Sequence, residues 1–138
     1  MSTDPISKMV TLLTSSWTAA NTGNVTPTIA NVTTKKRISG DSVLLHNISN
    51  VPVDNASGAS SKKRSTVIAL TARTFTSFEQ AMLMKEEIES IVGANEIDPF
   101  GDQSFDIMDI SDIQENQEET RIYFSVKILV KLEQFNLT

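Results

Sequence analysis

The sequence predicts an α+β fold: a two-layer domain in which a mostly antiparallel sheet carries two helices packed on one of its faces. Three observations lead there. Ile6, Met9, Val10, Leu13 and Trp17 recur at the spacing of one helical stripe. Phe78, Ala81, Met84, Ile88, Ile91 and Val92 form a second stripe, behind Ser77 and Gln80 at the spacing of a capping box. Ile122, Phe124, Val126, Ile128, Val130 and Leu132 alternate without a break against Arg121, Tyr123, Ser125, Lys127, Leu129 and Lys131, as in a strand with one buried face. At 138 residues the chain suits one domain spanning 1–138, large enough to bury its own core.

Each element has a local reason. Asp4 before Pro5 supplies a capping carboxylate ahead of a residue whose missing N–H costs nothing at a helix start. The first helix ends in Asn21, Thr22, Gly23 and Asn24, a turn-forming run. Residues 25–34, rich in Thr, Val and Ile with Pro27 near the start, read as an extended edge segment. Residues 42–48 form a short strand, and residues 66–75 another, with Ile68, Leu70 and Ala72 on one face. Between them, residues 49–64 are predicted as an exposed, flexible hairpin loop. Asp54, Asn55, Ser57, Gly58, Ser60 and Ser61 offer nothing to a core, and connections beyond about 12–15 residues are usually functional or disordered. Gly93 is the expected cap of the second helix. Phe105, Ile107 and Asp109 alternate as a strand, with Met108 and Ile110 on its other face, and residues 114–118 read as a polar turn.

Composition removes several kinds of chemistry. The chain has no cysteine, which excludes disulfides, thiolate catalysis and Cys-based zinc sites. Its one histidine, His46, sits beside Leu44 and Leu45 in a strand and reads as a structural or surface side chain. Phosphate-cradling glycine motifs are missing, no run approaches the ~18 apolar residues of a membrane span, and the first residues lack the pattern of a signal peptide. Asp98, Asp102, Asp106, Asp109 and Asp112 invite a calcium reading. Their spacing does not match an EF-hand loop, and a solvated acidic edge suits them better. The expectation is a protein that is not an enzyme and carries no cofactor or metal.

Charge is distributed more tellingly than the net −5 suggests. Residues 1–75 carry eight basic side chains against Asp4, Asp41 and Asp54, a net of +5. Residues 76–138 carry four basic and fourteen acidic side chains, a net of −10. No Lys or Arg interrupts the carboxylates between Glu86 and Glu119. Such halves either neutralise each other or give two faces of opposite sign, which suit head-to-tail self-association. The basic triplets Lys35, Lys36, Arg37 and Lys62, Lys63, Arg64 are the candidate partner-binding residues. They could also neutralise phosphates, the basis of an alternative reading as a small nucleic-acid-associated factor. The acidic total and the lack of aromatics among the triplets weigh against that alternative.

The chain resembles the tail terminator, or tail-completion, proteins of long-tailed bacterial and archaeal viruses. The resemblance covers nearly the whole length. It rests on the helix ISKMVTLLTSSW, the segment TPTIANVTTKKR, the strand SVLLHNI, the long polar hairpin tip, STVIALTARTF entering SFEQAMLMKEEIESIV, and the closing strand RIYFSVKILVKLEQF. These are features of layout, shared in part with connector-type neck and minor tail proteins. The resemblance implies a structural virion protein, assembled in the host cytoplasm as a homohexameric ring that ends the tail tube and joins it to the head connector. Its partners would be further copies of itself, the tail tube protein and head connector or neck proteins, with no membrane involved. DNA would pass through the lumen without specific binding, with Asp98, Asp102, Asp106, Asp109 and Asp112 as candidates for the lumen or the subunit interface. The loop 49–64 would be a mobile arm presenting Lys62, Lys63 and Arg64.

Overall fold

The elements run in the order α1 (Pro5–Ser16), a 3-10 turn (Ala19–Thr22), β1 (Thr28–Asn31), β2 (Ser42–Val53), β3 (Lys62–Thr74), α2 (Phe78–Ala94), β4 (Gln103–Ile110), β5 (Gln114–Glu118) and β6 (Arg121–Leu137). The structure is a computed structural model that describes residues 5–31, 40–53, 62–96, 103–118 and 120–137. Strand order across the sheet is β1-β2-β3-β6-β4, with β5 also on β6. Only β1 runs parallel to its neighbour, β2, so the sheet is mostly antiparallel and the fold is α+β as the sequence predicts.

Both helices pack on one face of this sheet. Ile6, Met9 and Leu13 of α1 and Met84, Ile88, Ile91 and Val92 of α2 share one core with Val43, Leu45, Ile68, Leu70 and the even-numbered residues of β6 from Val126 to Leu132. The register explains why these side chains meet. Leu70 lies opposite Leu45 on one side and Ile128 on the other, and Ala72 opposite Val43 and Val126, so apolar rows cross the strands at right angles. Helical periodicity supplies the matching stripes above them.

Several local expectations need correction. Residues 49–64 are not a loop throughout: β2 continues to Val53 and β3 begins at Lys62, with Val53 paired to Lys63 and Pro52 to Arg64. The strands extend where β3 is paired on both sides, Arg64 facing Pro52 of β2 and Gln134 of β6. Residues 54–61 lie outside those described. The segment 114–118 is a strand and not a turn. The β5–β6 register pairs Glu118 with Arg121, which moves the reversal to residues 119–120. A bulge resolves the ambiguous alternation of β4. Ile107 pairs with Val130 and Asp109 with Leu129, leaving Met108 unpaired and 53% exposed, and this slip returns Ile110 to the core side opposite Ile128.

The second helix departs from its pattern at both ends. Phe78, expected in the buried stripe, is half-exposed and meets Phe124 edge to face at 6.2 Å. Gly93 lies within the last turn and is not the cap. Asn95 ends the helix, its backbone N–H donating to the Val92 carbonyl at 3.0 Å and its side-chain amide to that of Ile91 at 2.8 Å. Ser77 does cap the start, its Oγ accepting from the Gln80 N–H at 3.1 Å. Ser77→Ala should therefore cost about 1 kcal/mol of unfolding free energy, read from urea titration, while Ser77→Asp should cost little.

Candidate functional site

With both helices on one side, the sheet keeps an uncovered second face. It is built from the alternate residues of the long strands: Leu44 and His46 on β2, Val67, Ala69, Thr71 and Arg73 on β3, and Tyr123 to Lys131 at odd positions on β6. Ala69, flanked by His46 and Leu129, is fully buried by its neighbours alone. Leu44, His46 and Leu129 are half-buried, and Lys127 is exposed. The centre of this face is thus apolar, with charges of both signs around it: Lys127 and Lys131 on β6, and Asp106 and Asp109 on β4, which lie beside Lys131 and Leu129.

Towards one end the cations stack on aromatic rings. The Arg73 guanidinium lies 5.2 Å from the Tyr123 ring centroid and 5.8 Å from that of Phe75, and Arg121 lies 3.8 Å over Phe75. Phe75 and Tyr123 meet at 5.5 Å between centroids. Such stacking fixes the long side chains at little cost in hydration and leaves their charge on the surface. Arg73 Nε and Ser42 Oγ, opposite one another across β2 and β3, are buried without a hydrogen-bond partner among the described residues. A shallow hollow of about 240 Å³ opens beside Lys127, with His46, Thr71, Ser111, Gln114 and Ser125 around it.

The acids lie along the outer edge. β4 and β5 run end to end against β6, and the link between them is held by Ser111, whose N–H donates to the Lys127 carbonyl and whose Oγ accepts from the Lys127 N–H, each at 2.9 Å. Asp106 and Asp109 on β4 and Asp112 in the link are all exposed. Asp106 faces Lys131 across the ladder, and the Lys131 ammonium is 2.7 Å from Glu133. The hydrogen bond and charge of Glu133, with a smaller contribution from Asp106, hold Lys131 above the ordinary lysine value. These groups border an open cleft of about 360 Å³ that also includes Glu96, Ser104 and Phe105.

Of the residues singled out in the sequence, Asp106, Asp109 and Asp112 are therefore brought to one edge. Asp98 and Asp102 lie outside the described residues, as do Lys35, Lys36 and Arg37. Lys62, Lys63 and Arg64 open β3 and do not lie in a loop: Lys63 pairs with Val53 of β2, Lys62 with Leu137 of β6, and Arg64 with both Pro52 and Gln134. Among the described residues, no three His, Asp or Glu side chains come close enough to hold a metal ion, and no helix is long and apolar enough to cross a membrane. The arginine–aromatic cluster and the outer side of α2, where Phe78, Met82 and Leu83 are exposed, escaped sequence reasoning. Alternation on β3 and β6 was the available signal for the first, and no local pattern marks the second. No known family model matches the chain, and no curated protein is significantly similar to it.

Proposed function

We propose that the protein is a structural component of the virion neck, a ring that terminates the tail tube of a long-tailed virus and joins it to the head connector. The observation that supports this reading best is the two-sidedness of the domain. Helices cover one face of the sheet, while the other is charged, with Arg73, Arg121 and Lys127 towards one end and Asp106 and Asp109 along its outer edge. A subunit with unlike sides can bind its neighbour head to tail, and a rotation that closes gives a ring. In such a ring the exposed Asp106, Asp109 and Asp112 are suited to a lumen through which DNA slides without sticking, since like charges repel. The role is one of assembly and not of catalysis, located in the virion and in the host cytoplasm while tails are built.

Light scattering across a range of concentrations, at low and high salt, tests the reading together with electron microscopy of purified tail tubes from the virus that encodes the chain. The expected result is a particle of about six subunits, loosened by salt, that caps one end of each tube. A monomer that leaves tubes uncapped overturns it.

A further inference from the structure

We infer that the hollow beside Lys127, with Arg73 at its rim, binds a phosphate group, either free or carried on a nucleic-acid strand. The inference stands apart from the ring reading. Two cations carry it, and pairing sets them apart from the rest. Lys85 lies 3.8 Å from Glu89 and Lys131 2.7 Å from Glu133, so each has a carboxylate partner. Among the described residues, no acceptor takes a hydrogen bond or ion pair from the side chain of Arg73 or Lys127. The ladder makes these two neighbours. Arg73 stands opposite Ser125 and Lys127 opposite Thr71, so they are diagonal to each other across β3 and β6 on the uncovered face. Such positions lie roughly 7–8 Å apart, within reach of one anion for two long side chains.

The surroundings supply hydrogen-bond donors and few competing acids. Thr71 and Ser125 line the hollow of about 240 Å³, and Ser125 Oγ, which accepts from Asn116 Nδ2 at 2.8 Å, still has a proton to give. Ser42 Oγ, fully buried opposite Arg73, and Arg73 Nε both lack an acceptor among the described residues. The Tyr123 and Phe75 rings hold the guanidinium at 5.2 and 5.8 Å, leaving its hydrogen-bonding edge unspent. A phosphate brings three acceptor oxygens to such a set of donors, where a carboxylate brings two. Positions around Arg73 on β2, β3 and β6 carry no carboxylate. Exposed Asp112, next to Ser111, and Asp109, opposite Leu129, lie beyond Lys127 and lower the affinity without filling the site. Glu118 stands opposite Arg121 in the β5–β6 ladder, so Arg121 is no part of it.

Two titrations test this. Inorganic phosphate, followed by amide chemical shifts, should move the signals of Thr71, Ser125 and Lys127 and leave those of α2 in place. A short labelled DNA duplex, followed by fluorescence anisotropy, should bind with a Kd of about 10⁻⁴–10⁻⁶ M near physiological salt. Arg73→Gln and Lys127→Gln should each weaken it about tenfold and lower the salt slope by about 1, while Lys85→Gln changes neither. Asp112→Asn should tighten binding by removing a repelling charge. A response to phosphate without duplex binding supports the site and assigns it to free phosphate. Three results overturn it: no response to either probe, wild-type affinity in both variants, or equal displacement of the duplex by poly-glutamate, which assigns the surface to an acidic protein partner. Lys127 is exposed, so its variant decides the matter even where Arg73→Gln disturbs the fold. Tube capping is read separately.

Discussion

Ile128→Ala lowers the unfolding free energy by about 2–5 kcal/mol, whereas Ile122→Ala, on the same strand and the same side, changes it by less than about 0.5 kcal/mol. Ile128 is fully buried at the centre of the sheet, opposite Leu70 on β3 and Ile110 on β4. Deleting its outer carbons leaves a hole bounded by paired strands below and two helices above, and neither layer can close it without breaking its own hydrogen bonds. Ile122 lies beyond the helices, paired only with Gln117 of β5 in the ladder, and half of it faces water. Urea titrations of the two variants compare them directly, with equal slopes showing that the transition remains two-state. Equal losses at the two positions would mean that Ile122 is covered, by a second copy or by a different placement of α2, and repeating the measurement at low protein concentration tells these apart.

The same pair of isoleucines marks how much of the fold was legible in the sequence. Alternation along 122–132 identified the central strand and its buried side correctly. It could not show where the helices stop, because a period records which side a residue takes and not what stands over it. The helical stripes were equally plain, apart from Phe78, which sits one turn too early to reach the core. The missed elements are those stabilised from a distance. Residues 114–118 contain no apolar side chain and are a strand only because β6 offers them partners. The ends of β2 and β3 extend for the same reason. The bulge at Met108 lies in the register between two strands, and a single-strand pattern cannot reveal it. The site divides likewise: the acidic edge was visible as composition, while the arginine–aromatic cluster needed β3 and β6 to be placed side by side.

Gln80→Ala should cost about 2–3 kcal/mol, more than loss of the helix cap beside it, because this side chain joins three parts of the chain. The spacing of Ser77 and Gln80 suggests a reciprocal capping box, and only half of it forms. Ser77 accepts from the Gln80 backbone, but the Gln80 amide turns inward and donates to the Thr22 carbonyl at 2.9 Å and to Asp41 Oδ2 at 2.8 Å. Asp41 in turn accepts from Thr74 Oγ1 at 2.6 Å, so α2, the turn after α1 and the start of β2 are tied through one amide. The turn fits closely around it. Gly23 has φ +66°, and a Cβ at that position would lie 3.2 Å from Gln80 Oε1. Farther along α2, buried Glu87 accepts from the Thr18 N–H at 2.6 Å and from Asn21 Nδ2 at 3.0 Å, a second clamp on the same turn. Removing the Gln80 amide leaves a carbonyl and a carboxylate short of donors at a site with little access to water, the costly half of hydrogen-bond energetics. Gln80→Glu should cost more than Gln80→Ala at neutral pH, since it sets a second carboxylate against Asp41. Hydrogen exchange locates the damage: the Asn24 and Val25 amides, which bond to Ala19 and Thr22 within the turn, should lose protection before the amides of β3 and β6. Uniform loss across the sheet would place Gln80 in the global core and not in a local clamp.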